Sequence, residues 1–134
     1  MKKQVLILVL LLTHCSSSLY AQKENPEIKK IDANITTIDK SKGLAVKILR
    51  DREISEEATD GGMTLTGYYK NDTLLRMHFW VALFDGIWDC NYYYQNNALI
   101  YANEKNKAYV VDSAKQTIDY NHTNLKTENR FYFK

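Results

Sequence analysis

The residues that could do chemistry in this 134-residue chain are few and widely spaced. From Gln22 onward there is one thiol, Cys90, and two imidazoles, His78 and His122. A nucleophilic cysteine needs partial exposure and a base within hydrogen-bond reach, so the question for Cys90 is whether His78 shares its side of a strand. The two histidines stand far apart with no third, so a metal site is not expected. The carboxylates crowd into Asp51–Asp60 (DREISEEATD). A calcium loop alternates its oxygen ligands around a glycine, and that spacing is missing here, so Glu56 and Glu57 read as a solvated loop. Asp89 and Glu104, with His78, are the remaining acid–base candidates. No Gly-x-Ser-x-Gly, phosphate loop, His-Glu-x-x-His or Cys-x-x-Cys occurs. The expected catalytic set is therefore empty, and no cofactor is expected. The three Asn-x-Thr triplets at Asn34, Asn71 and Asn121 read as turn chemistry.

What could position these side chains is a central hairpin. Asp85-Gly86 read as a two-residue turn pairs Phe84 with Ile87, Leu83 with Trp88, Val81 with Cys90 and Phe79 with Tyr92. Strand residues alternate faces. One face then carries Met77, Phe79, Val81, Leu83, Trp88, Cys90 and Tyr92. The other carries His78, Trp80, Ala82, Phe84, Ile87, Asp89, Asn91 and Tyr93. Cys90 is thereby separated from His78 and reads as a small core hydrophobe. Its apolar face is expected to meet the helix. The other face puts Trp80 opposite Asn91 and His78 opposite Tyr93. Aromatic and polar groups together suit a protein or peptide partner, so His78, Trp80, Asn91 and Tyr93 are the candidate binding residues.

The flanking elements follow from periodicity and turn residues. Asn25-Pro26-Glu27 is a helix start, with Asn as cap and Pro at the first helical position. Ile28, Ile31, Ile35 and Ile38 form one apolar stripe, and Gly43 is a fitting stop. Residues 44–50 read as a strand and Asp60-Gly61-Gly62 as a turn. Residues 63–70, 74–84, 87–95 and 99–103 read as strands, separated by Asn71-Asp72, Asp85-Gly86 and Asn96-Asn97. Weaker strands are expected at 108–112, 117–120 and 130–134, with polar Asn121–Asn129 as a loop. This is an α+β fold: one N-terminal helix packed on an antiparallel β-meander of about five to seven strands.

The stretch Tyr69-Lys70-Asn71-Asp72-Thr73-Leu74 is echoed by Tyr94-Gln95-Asn96-Asn97-Ala98-Leu99. Tyr-Tyr-x-Asn-x-x-Leu of this kind resembles the hairpin units of MORN-type repeat proteins and hairpins of small exported bacterial proteins. Asp72 and Asn97 stand where those repeats carry glycine, and two copies make a duplicated hairpin rather than a solenoid. A helix followed by a meander also resembles the cystatin-like arrangement, a likeness of fold that does not fix function.

The first residues carry a different signal. Met1-Lys2-Lys3 precede an unbroken apolar run, Val5–Leu12, then small and polar residues up to Ala21. That order is an export signal, and the run is far shorter than the ~20 residues of a membrane span. Processing after Ala21 is favoured over a lipoprotein site at Cys15, where His14 is a bulky departure. Residues 1–21 are thus expected to be a signal peptide and 22–134 a single domain, exported to the periplasm or beyond, with membrane attachment only if Cys15 is lipidated. Lys2 and Lys3 account for the formal charge of +2. The remainder is balanced, without the basic stripe of a nucleic-acid binder. The expected function is a non-enzymatic binding module. The alternatives are a hydrolase using His78 with Asp89 or Glu104, and an envelope structural or assembly protein using a free sheet edge.

Overall fold

The computed structural model describes residues 25–57 and 59–134. The leader expected at 1–21, with its candidate processing positions Cys15 and Ala21, lies outside the described residues. The chain divides into two compact units, Met1–Lys30 and Ile31–Lys134. Of the first, the described part is residues 25–30, the opening of the helix. There the side chain of Asn25 accepts the amide of Glu27 at 3.0 Å, satisfying one of the donors a helix start leaves unpaired.

The elements in chain order are helix α1 (Pro26–Asp39) and strands β1 (Ala45–Arg50), β2 (Met63–Lys70), β3 (Thr73–Ala82), β4 (Gly86–Gln95), β5 (Ala98–Asp112) and β6 (Thr117–Tyr132). The strands form one antiparallel sheet in sequence order. Among the described residues the fold is α+β, one α-helix with a six-stranded meander and a single 3-10 turn at Asp51–Glu53. The second half of the meander is longer than its composition implies. The polar stretch Asn121–Asn129 belongs to β6, and residues 99–103 and 108–112 are ends of a single β5. Pairing along the whole length of β5 overrides weak local propensity, and the side chains of this edge strand remain mostly exposed.

Two hairpins repeat one design. Asn71-Asp72 and Asn96-Asn97 are two-residue turns with every φ positive, between +48° and +62°. This is the twist that matches paired strands, and Asn and Asp tolerate it. Each turn is followed by the same irregularity. Tyr68 pairs with Arg76 but Tyr69 with Leu74, and Tyr93 pairs with Tyr101 but Tyr94 with Leu99. Leu75 and Ile100 are the extra residues.

These bulges explain where the helix sits. A bulge breaks strict alternation, so Leu75 joins its neighbour Arg76, and Ile100 its neighbour Tyr101, on the helix side of the sheet. There Ile38, Tyr93 and Tyr101 form the core cluster, with Ile31, Ile35, Leu75, Ile100 and Tyr132 packed against it. The helix therefore covers the end of the Tyr93 face, and not the Met77–Phe79–Val81 face that alternation alone favoured. Polar ties hold it in place: Tyr132 Oη donates to Asp32 at 3.1 Å, and Asn34 Nδ2 to Gln95 at 3.1 Å.

Candidate functional site

The helix covers only one end of its sheet face, and the rest of that face carries the candidate site. The turn between β3 and β4 is longer than two residues. Ala82 pairs with Ile87, and the amide of Leu83 donates to the carbonyl of Gly86 at 2.8 Å. The register is therefore offset by two from the tight-turn pairing: His78 lies opposite Asn91, Trp80 opposite Asp89, and Arg76 opposite Tyr93. A two-residue offset leaves every side chain on its expected face, because the period is two. Gly86 lies so close to the carbonyl of Lys107 that a side chain at this position would strike the β5 backbone.

Three zones succeed one another along this face. Under the helix, Tyr93 is 6% exposed, and its hydroxyl donates to Asp39. Burial first, then the Asp39 charge, pushes its pKa up to about 12. Of the four expected binding residues, Tyr93 is thus part of the packed core, while His78, Asn91 and Trp80 lie beyond the helix, half-buried.

The middle zone is polar. Asp89 is bracketed by two nitrogen partners, with His78 Nε2 at 2.9 Å from one oxygen and Lys107 Nζ at 2.5 Å from the other. Burial raises the Asp89 pKa, but the hydrogen bonds from Lys107 and His78 outweigh it, and the carboxyl is held below its ordinary range. Nearer the helix, Arg76 binds Asp39 at 3.0 Å, and Asn103 donates to Glu128 at 2.8 Å. Arg76, Asp39 and Asn103, with Asn91, Tyr93 and Lys105, line a cavity of about 380 Å³.

The far zone is aromatic. Trp80, Phe84, Ile87, Tyr109 and Tyr120 line a cleft of about 560 Å³, with Asp60 at its rim. Sequence reasoning missed Tyr109 and Tyr120 as its members. They meet because β6 bulges: Tyr109 pairs with Thr123 and Val110 with Asp119, leaving residues 120–122 extra. Asp119 holds the bulge, accepting the Asn121 amide at 2.9 Å and lying 2.7 Å from His122 Nδ1. Tyr120 is thereby presented beside Tyr109, ring centroids 5.0 Å apart in an edge arrangement. The Asp-x-Asn signature of a local side-chain turn was the available signal.

Cys90 stands on the opposite face and is 6% exposed. It touches a small cavity of about 150 Å³ with Glu104, and no histidine lines it. Burial first, then the charges of Glu104 and Asp89, push the thiol pKa up, the reverse of what a nucleophile needs. Among the described residues, no three His, Cys, Asp or Glu side chains gather as metal ligands, and no helix is long and apolar enough to cross a membrane. No protein family, curated protein or solved structure matches this chain.

Proposed function

We propose that the chain is an exported, non-enzymatic binding module that holds a protein or peptide partner on the open part of its helix-side sheet face. The observation that carries the reading is the aromatic cleft of Trp80, Phe84, Tyr109 and Tyr120 set beside a polar floor. Phe84 and Tyr120 are 68% and 60% exposed, and large rings held at the surface by a rigid sheet are anchors of the kind that dominate protein interfaces. Their arrangement costs little entropy on binding, since β3, β5 and the β6 bulge already fix three of the four. Export rests on the lysine-led apolar leader. The resemblance of the paired Tyr-Tyr-x-Asn-x-x-Leu hairpins to MORN-type units stays a likeness of hairpin design and carries no function here.

The test is quantitative binding of partners isolated from the cell envelope. Trp80→Ala and Tyr120→Ala should each weaken a captured partner by about tenfold or more, the effect of losing an interface anchor. Phe131→Ala, at an exposed position outside the cleft, should leave it unchanged. Equal retention by all three variants would remove the cleft from the account.

A second reading has one observation in its favour, the 2.9 Å approach of His78 to Asp89. A histidine oriented by a carboxylate can act as a general base. Against this use, Lys107 occupies the other oxygen of Asp89, and Cys90 faces away. Hydrolysis of an ester and peptide panel that disappears in both His78→Ala and Asp89→Asn would favour the enzyme. An absence of turnover in the unaltered chain would end it.

A further inference from the structure

The sheet has a second face, and no layer of the fold covers it. The helix packs on the Tyr93 side through Ile31, Ile35 and Ile38, and all six strands belong to one sheet. Among the described residues, therefore, neither helix nor strand lies across the other side, although a sheet face is ordinarily buried against a second layer. Strand pairing sets this face out in rows. Leu49, Leu65, Phe79, Cys90 and Glu104 stand side by side on β1 to β5. Met63, Val81 and Trp88 form the row on one side of them. Lys47, Gly67, Met77 and Tyr92 form the row on the other. Leu49 and Trp88 are left 41% and 50% exposed.

The face is large enough for a stable contact. Strands β2, β3 and β4 are 8 to 10 residues long, and at the rise and spacing of strands the six cover roughly 24 by 30 Å, about 700 Å². A standard interface takes ~800 Å² from each partner. The charges on the face say what that partner is. Within these rows Lys47 is the single cation and Glu104 the single carboxylate. Lys47 lies 5.0 Å from the centre of the Tyr69 ring, and Glu104 accepts the Tyr92 hydroxyl at 3.2 Å. Among the described residues neither is paired with an opposite charge. They cannot meet each other within one chain, since β1 and β5 are four strand spacings apart, roughly 19 Å. They do stand at equal distances from β3, two strands to either side.

We propose that this face docks a second copy of the chain, sheet on sheet, about a two-fold axis along β3. Packed sheets lie about 10 Å apart with their strands nearly aligned. Such an axis lays β1 of each copy over β5 of the other. Lys47 then comes within one row, roughly 7 Å along the strand, of Glu104 in the second copy. The ion pair forms twice, because both copies present the same patch. Phe79 meets its own counterpart at the axis, and Trp88 on β4 faces Met63 on β2 of the second copy. A two-fold across the strands would instead lay β5 over β5 and set Glu104 against Glu104. A lipid surface suits the face less well, since interfacial binding draws on several Lys or Arg and these rows are neutral. The dimer goes beyond the binding-module reading and does not depend on it: both helix-side clefts stay open on its outer faces.

Sedimentation equilibrium of the purified chain, from micromolar to near-millimolar concentration, should fit a monomer–dimer equilibrium. Trp88→Glu, at a half-exposed position, should weaken the dimer about tenfold or more. Lys47→Glu and Glu104→Lys should each weaken it by a similar factor, by bringing like charges together, and the double variant should recover most of that loss. Recovery cannot come from repair of the monomer, where the two residues are too far apart to interact, so the outcome holds even if a single variant folds poorly. A strict monomer at the highest concentration would overturn the proposal. So would a dimer indifferent to Trp88→Glu, which would place the contact on another surface. Single charge variants without effect, or a double variant no better than either, would overturn the axis along β3. A monomer that sediments with phosphatidylcholine vesicles would reassign the face to a lipid surface. None of these outcomes bears on the cleft, which answers separately to the Trp80 and Tyr120 variants.

Discussion

The Tyr93 hydroxyl lies 3.0 and 3.2 Å from the two oxygens of Asp39, joining the middle of the sheet to the last residue of the helix. Arg76 meets the same carboxylate at 3.0 Å, so one acidic side chain collects a phenol and a guanidinium from neighbouring strands. Tyr93→Phe should destabilise the fold by about 1–2 kcal/mol, the loss of a hydrogen bond to a charged group, measured as a lower urea midpoint. The pH dependence has a definite sign. The folded-state pKa of Tyr93 is raised from 10.0 to about 12, so its contribution is complete below 10 and is lost as pH climbs through 12. The fall in stability across that window should be shallower in Tyr93→Phe. It should not vanish, because Tyr92, Tyr94 and Tyr132 are shifted in the same direction.

Asp89 behaves in the opposite sense. Its carboxyl is lowered in the fold by Lys107 and His78, against the pull of burial. Its contribution is therefore present above the ordinary carboxylate value and disappears as pH falls through the folded one. Asp89→Asn should cost about 1–2 kcal/mol at neutral pH and flatten the acid limb of a urea-midpoint profile. A variant as acid-sensitive as the parent would show that the bracket contributes nothing.

Cys90 should be slow to react. Buried beside Tyr92 and Glu104, with its thiol pKa raised, it should react with a disulfide reagent at pH 8 on the order of 100-fold more slowly in the native chain than in urea, since reaction needs both thiolate and access. Native and denatured rates of equal size would contradict the packing described.

The duplicated turns offer a gain of stability. Asn97 holds φ at +62°, a conformation that glycine adopts at no steric cost, and Asn-Gly is the preferred pair for this turn. Asn97→Gly should raise the stability by about 0.5–1 kcal/mol, and Asn97→Val should lower it by at least as much, both read from thermal melts. Because the turn at Asn71-Asp72 has the same geometry, Asp72→Gly should repeat the effect with similar size.

Much of the architecture was written in short stretches of sequence. Asn25-Pro26 starts the helix, Asn71-Asp72 and Asn96-Asn97 turn the chain back, and alternation in β3 and β4 sets Cys90 and His78 on opposite faces. Each depends on contacts a few residues apart, or on a period that survives a two-residue slip. Tyr93 shows where local reading stops: its face was right, yet whether that face was open depended on the helix above it.

Only the tertiary structure decided which face the helix covers, because Leu75 and Ile100 reach it through bulges that break the strand period and are set by cross-strand pairing. Only it joined 117–132 into one strand, since β5 supplies the hydrogen bonds that a polar segment does not seek by itself. It also brought Tyr109 to Tyr120. These features arise between strands distant along the chain, where position is fixed by register and packing and carries no mark in the neighbouring residues.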